Sequence, residues 1–428
     1  MAQTRVQHPP MPAHPIELPI SLAWGKGGYT VQVRLGHAQT PLNLVLDTGS
    51  STLAILPGTY AADLDPDLQS TAMAQAVAYG AGAFAGPVLK TSLRFGAGHH
   101  ARTLHAVDFA LVQSPDPPWQ DADGLLGLAY DGLNLAHDAT ALFPVTEPPI
   151  TRTWPWPFAL PDSLALARFR QQLLAQPAIC LKPCFSALEE EGLVPDCFAL
   201  LVRRAVVHVA QPGASLHQLA ADPLNQGTLV LGGGPQCASL HEGGFKTLKV
   251  VHDRYYNVLL KTIRVGAEAE ICAPPLAPQD IARYCSNAIV DTGSSFLILP
   301  ETVYAAVLAA FARIDPRLAQ TIAQFNTLFA TGHGLPNDVV RALPWPVLHF
   351  TLEGADGADV GLKLNPAQYW ENNALNHGEA LFLLRSQIQG WAAQSILGLP
   401  LWCGQFLVFD RSVGQAGVIR VAKASQSP

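Results

Sequence analysis

Two aspartates could do chemistry in this sequence. Asp47 opens the pentapeptide Asp47-Thr48-Gly49-Ser50-Ser51, and Asp291 opens an identical one, Asp291-Thr292-Gly293-Ser294-Ser295. A lone aspartate on a glycine turn often does no more than cap that turn through side-chain to backbone hydrogen bonds. The repeat changes this. If the two halves are related by a pseudo-two-fold, identical turns meet across the axis, and Asp47 and Asp291 share one site. Two carboxylates a few ångströms apart cannot both ionise easily, so they hold one proton between them. One then serves as base and the other as acid, and together they can hold and activate a water. The neighbours suit this work. Gly49 and Gly293 allow close backbone approach. Thr48 and Thr292 carry hydroxyls that can tie the turns together. Ser50 and Ser294 can hydrogen-bond the carboxylates and favour the charged form.

The elements that must position these turns are legible around them. Apolar runs precede each turn, Leu44-Val45-Leu46 and Ala288-Ile289-Val290, and apolar runs ending in Pro57 and Pro300 follow. Each unit reads as strand, acidic turn, strand. A second repeated feature follows in each half: Asp123-Gly124-Leu125-Leu126-Gly127 and Ser395-Ile396-Leu397-Gly398. Gly127 lies 80 residues after Asp47, and Gly398 lies 107 after Asp291. The order is shared and the loops have diverged, so a whole half was duplicated. Between the repeats, residues 78–86 place glycines around Tyr79 and Phe84, as a tight hairpin requires. Residues 131–183 are Pro-rich and irregular, an insertion on the first half with one helix from Asp162 to Gln176 stopped by Pro177. Trp154 and Trp156 could line a binding surface or pack the insertion onto its host. A further helix is expected over 300–312. The division expected is a loose arm over 1–19, an N-terminal lobe over 20–240, a C-terminal lobe over 241–422 and a tail over 423–428.

Composition removes other classes. At 428 residues, 49% hydrophobic and 14% charged, the chain can bury two sizeable cores. A net charge of −7 without a basic cluster gives no footprint for nucleic acid. No apolar run approaches the roughly 18–20 residues that span a bilayer. Residues 1–20 lack the apolar core of a signal peptide, which favours the cytoplasm, with secretion or the periplasm as the alternative if a leader was removed. No Gly-x-Ser-x-Gly is present. The glycines at 232–234 follow a strand without the Lys and helix of a phosphate loop. The 14 His are scattered, and no metal site is expected. Seven cysteines, none before residue 180, fit free buried thiols better than a secreted framework. Bridges Cys272–Cys285 or Cys180–Cys184 stand as alternatives, and zinc on Cys180, Cys184 and Cys197 lacks a second close pair.

The chain resembles the pepsin-like aspartic peptidases from about Tyr29 to Val421. The resemblance rests on both Asp-Thr-Gly-Ser-Ser motifs, Tyr79-Gly80-Ala81-Gly82, residues 123–130, Glu191-Gly192-Leu193-Val194, Gly232-Gly233, Ile396-Leu397-Gly398 and Val408-Phe409-Asp410-Arg411. It implies a mainly β, bilobal fold: two β-rich lobes related by a pseudo-two-fold, with the active-site cleft between them. It implies that Asp47 and Asp291 are the catalytic dyad and that Tyr79 and Gly80 sit on a flap closing over bound substrate. The implied activity is an acid-acting endopeptidase for peptide or protein substrates. It would prefer bulky apolar residues at the cut, be blocked by pepstatin-type inhibitors, need no cofactor, and act as a monomer without nucleic-acid or membrane partners. The alternative is a pepsin fold kept for binding a peptide or inhibitor without turnover. Three departures stand out. Ala54 occupies the place where the family usually has Trp beside the flap tyrosine. Ala81 and Ala83 replace the usual flap hydroxyls. There is no basic prosegment, as in the prokaryotic, prosegment-free branch.

Overall fold

The computed structural model describes residues 14–79, 82–113 and 119–425. Its architecture follows from alternating patterns that bury one face of each strand. In the first half β1 (Ile16–Ser21), β2 (Thr30–Leu35), β3 (Thr40–Asp47) and β4 (Leu53–Ile55) surround the first acidic turn. The long hairpin of β5 (Gln69–Tyr79) and β6 (Gly82–Phe95) follows, then β7 (Arg102–Leu111) and β8 (Gly124–Gly127). In β2 the side chains of Val31, Val33 and Leu35 are buried while Gln32 and Arg34 face solvent. That two-residue period fixes which face meets the core.

The strand topology repeats. β3 runs parallel to β8, pairing Leu44 with Gly124 and Asp47 with Gly127. β4 runs antiparallel to β8 and parallel to β7. In the second half, Ala288–Val290 runs parallel to Ser395–Leu397. Leu297–Leu299 runs antiparallel to Ser395–Leu397 and parallel to Leu384–Ser386. Equivalent backbone bonds recur as well: Leu46 N–H donates to the Tyr29 carbonyl at 2.8 Å, and Val290 N–H donates to the Tyr256 carbonyl at 3.0 Å. The two glycines that end the second repeat do the same job. A Cβ on Gly127 would lie 2.6 Å from the backbone nitrogen of Ser51, and one on Gly398 would lie 2.5 Å from the Ser294 carbonyl oxygen. Only glycine lets the acidic turn lie against the neighbouring strand this closely.

Strands from both halves share one sheet. β1 pairs with Gln226–Leu231, which pairs with Cys197–Val202, and Cys197–Val202 pairs with Gln405–Asp410. Val418–Ala424 and His241–Lys249 complete that edge. This corrects both ends of the expected division. The arm assigned to 1–19 gives way to strand at Ile16, because Ile16, Leu18 and Ile20 alternate inward and pair with Leu231, Leu229 and Gly227. The tail assigned to 423–428 starts late, since the last strand runs to Ala424.

The region 131–183 is more regular than its prolines suggest. Leu135–Asp138 pairs with both β5 and Ala178–Cys180. Helix α1 (Ser163–Leu174) is capped by Asp162, whose side chain accepts from Ala165 N–H at 2.7 Å. Its Leu166, Phe169 and Leu173 are buried with Ala74 and Ala85 of the β5–β6 hairpin. Trp156 stacks edge-on to Phe169 at 5.5 Å, and Trp154 Nε1 donates to Asp63 at 3.2 Å. Both tryptophans therefore pack the insertion onto its host. The helix expected over 300–312 spans Glu301–Ile314, and Asp315 caps a second one, Pro316–Phe329. All seven cysteines are free, which removes both candidate bridges; Cys184, Cys237 and Cys403 are buried, while Cys180 and Cys272 are exposed. No helix among the described residues is long and apolar enough to cross a membrane.

Phe169→Ala should cost about 3–5 kcal/mol by opening a cavity under α1, seen as a lower urea midpoint. Leu164→Ala, on the exposed face of the same helix, should shift the midpoint by no more than about 0.5 kcal/mol.

Candidate active site

The acidic turns meet at the boundary between the halves, and their backbones are tied to each other. Thr48 N–H donates to Thr292 Oγ1 at 3.2 Å, and Thr292 N–H donates to Thr48 Oγ1 at 3.0 Å. Thr48 Oγ1 donates to the Val290 carbonyl at 2.9 Å, and Thr292 Oγ1 donates to the Leu46 carbonyl at 3.2 Å. Both threonines are buried. Each hydroxyl therefore satisfies an N–H and a carbonyl of the opposite half, in a place that excludes water.

This contact brings the aspartates together. A Cβ on Gly49 would lie 2.8 Å from Asp291 Oδ1, and one on Gly293 would lie 2.5 Å from Asp47 Oδ1. Each glycine thus makes room for the carboxyl of the other half. The two carboxyl groups are hydrogen-bonded to each other. Gly49 N–H donates to Asp47 Oδ1 at 2.7 Å, and Gly293 N–H donates to Asp291 Oδ1 at 2.9 Å.

The surroundings of the two aspartates differ. Asp47 is buried, Asp291 half-buried. Ser50 Oγ donates to Asp47 Oδ2 at 2.5 Å. Ser294 does not do the same for Asp291, contrary to the expectation from its sequence position. Its hydroxyl donates to the Phe296 carbonyl at 2.9 Å and is held in a local turn. Burial pushes both carboxyls upward, and Ser50 and Gly49 oppose the shift at Asp47. Asp291 lies well above the carboxylate range, because burial is joined by the Asp47 charge and by the bond between the two groups. The pair holds one proton between its members, and the Ser50 hydroxyl favours the charged form on the Asp47 side.

The carboxyls open into a cavity of about 410 Å³. Val45, Trp119, Leu125, Phe296 and Ile298 form apolar walls, and Ile388 and Trp391 overhang it from the second half. A second cavity of about 380 Å³ continues past Trp119 and Phe296 toward Lys26 and Gln120. Together they make an elongated trough suited to an extended chain. Ala54 is fully buried, and the space beside it is taken by Phe84 and Trp119, whose rings pack edge to face at 5.8 Å. Tyr79 ends β5, with its backbone paired to Gly82. Its side chain, Gly80 and Ala81 lie outside the described residues.

Several residues of the trough were not singled out in the sequence. Trp119 sits in a Pro-rich stretch without a motif, and Ile388 and Trp391 lie in a polar loop. Tyr255 lies in the turn before the strand Asn257–Val258, and burial, joined by the charges of Asp291 and Asp47, raises its phenol. Only the matching of Tyr256 to Tyr29 by register could have brought Tyr255 near the first turn.

A sequence model for the family described as eukaryotic aspartyl protease matches residues 185–336, which include the second acidic turn. A beta-secretase from Strongylocentrotus purpuratus is 22% identical over 417 residues, covering 92% of this chain and 66% of the relative. The chain therefore spans just under two thirds of that relative's length.

Thr292→Val should destabilise the fold by about 1–3 kcal/mol, since it leaves the buried Thr48 N–H and Leu46 carbonyl without their partner. Thr292→Ser keeps the hydroxyl and should retain most of that stability. Denaturant midpoints of the two variants check the difference.

Proposed function

We propose that this chain, which is similar to the aspartyl proteases over residues 185–336, is a pepsin-like endopeptidase whose water is activated between Asp47 and Asp291. The observation that carries this reading is the hydrogen-bonded carboxyl pair with a raised Asp291 at the floor of an apolar trough. The dyad of this family is a standard example of two carboxyls sharing a proton. Asp47, charged and held by Ser50 and Gly49, takes a proton from the bound water. The water oxygen attacks the scissile carbonyl carbon while Asp291 gives its proton to the carbonyl oxygen, and a tetrahedral diol forms. Proton return to the amide nitrogen lets the C–N bond break. Gly49, Thr48, Gly293 and Thr292 position the pair; the Ser294 hydroxyl supports the second turn through Phe296, and its backbone N–H favours the charged form of Asp291.

The trough lining of Trp119, Phe296, Ile388 and Trp391 favours bulky apolar side chains beside the cut. The flap role of Tyr79 and Gly80 belongs to the same reading. Activity requires one proton on the pair. It should fall as pH rises through the raised Asp291 value, and fall again at low pH as Asp47 becomes protonated.

Cleavage of a quenched apolar peptide from about pH 3 to 7 tests this, with pepstatin as inhibitor. Asp291→Asn and Asp47→Asn should each lower kcat by at least about 10²–10⁴-fold. Peptide binding without turnover at every pH would establish the pure binding function instead. A stability readout is independent of turnover. A carboxyl raised in the folded state stabilises fully below its unfolded value, near pH 3.9, and that contribution is lost as pH rises through the folded value. Asp291→Asn should therefore melt higher than the wild type at pH 7, and the gain should shrink toward pH 3.

A further inference from the structure

A cavity larger than either part of the trough lies away from the acidic turns. It is a groove of about 940 Å³ formed where the sheet shared by both halves meets the sheet of Leu260–Val265, Leu348–Glu353 and Asp359–Leu364. Its size falls within the range of about 300–1,000 Å³ common for small-molecule sites.

Its charge is opposite to that of the chain. The protein carries 26 Lys and Arg against 33 Asp and Glu, yet six of those cations and only three of those carboxylates line this one groove. Two of the three carboxylates are already matched. Glu371, buried at the floor, pairs with Arg204 at 3.3 Å and accepts from the backbone N–H groups of Ala205 and Val206. Glu242 pairs with Lys423 at 2.9 Å. The third, Glu270, is exposed and has no ion-pair partner among the described residues.

Four cations remain. Lys246 donates to the Gly361 carbonyl, and Arg264 spends one donor on the Gly266 carbonyl. The side chains of Arg203 and Lys363 have no hydrogen bond or ion pair among the described residues, though both open into the groove. His349, between Arg264 and Lys363, is held below the usual histidine range by its burial and by those two charges. The local field is therefore positive despite Glu270. Arg264, His349 and Lys363 stand side by side on one face of their sheet, since His349 is the register partner of both.

We infer that this groove binds a small, multiply charged oxyanion, with Arg203, Arg264 and Lys363 as its principal contacts. Guanidinium forks match phosphate and carboxylate oxygens in pairs, and a lysine adds a point charge. A ligand seated there touches both the shared sheet and the second-half sheet. None of these residues takes part in the proposed hydrolysis, so the inference stands or falls apart from the peptidase reading.

Isothermal titration calorimetry with sodium tripolyphosphate at low salt tests it, on the full chain carrying Asp291→Asn. Saturable binding is expected, weakening as salt rises. Arg203→Ala combined with Lys363→Glu should weaken it at least tenfold while leaving the melting temperature without tripolyphosphate unchanged. Arg152→Ala, an exposed cation elsewhere, should leave binding as it was. Citrate in a parallel titration separates a carboxylate ligand from a phosphate one, and binding of either supports the site. No binding of either at millimolar concentration would overturn the inference. So would equal loss from Arg152→Ala, or binding undiminished in the double variant.

Discussion

Thr48 and Thr292 hold this protein's two halves in register. Each hydroxyl bridges an N–H and a carbonyl on the opposite side, and each is shielded from water. An unpaired backbone group in such a place costs about 1–3 kcal/mol, so the four bonds resist any relative slide of the turns. Asp47 and Asp291 are neighbours of these threonines in sequence and inherit their placement. Bringing two acids together in a buried place is unfavourable in itself, through desolvation and like charge. The threonine contacts and the strand pairing behind them maintain a geometry that the carboxyls alone would not choose.

Identical pentapeptides do not make identical environments. Both serines that follow the glycine have different partners in the two halves. Ser50 reaches Asp47, while Ser294 turns back to Phe296. Ser51 donates to the Tyr130 carbonyl, and Ser295 to the Gly27 carbonyl. A duplicated sequence thus gives a symmetric scaffold with asymmetric surroundings. The asymmetry comes from what diverged around the repeat, and the proposed division of acid and base between the aspartates rests on it.

Much of the scaffold was legible because its causes are local. The repeated turns, their flanking strands, the paired glycine segments and the Asp162 cap of α1 depend on residues close in sequence. Other features depend on contacts hundreds of residues apart. Ile16 becomes strand only because Leu231 is there to pair with it. Trp119 enters the trough because Ala54 and Phe84 leave room for its ring, and Tyr255 nears the dyad because the strand after it, Asn257–Val258, pairs with Ala288 and Ile289 just before Asp291. Ser294 misled for the same reason: its neighbours were correct, and its local turn offered a better acceptor than the carboxylate. The cysteine count could not decide pairing, since pairing depends on distance in the fold.

The shared sheet sets a schedule for synthesis. Asp47 emerges from the ribosome early, but its partner's turn rests on Ser395–Leu397, and Cys197–Val202 waits for Gln405–Asp410 to cover its free edge. Both aspartates are thus present in a growing chain long before the surface that joins them can close. The contact between the two acidic turns therefore forms only after most of the chain has been made.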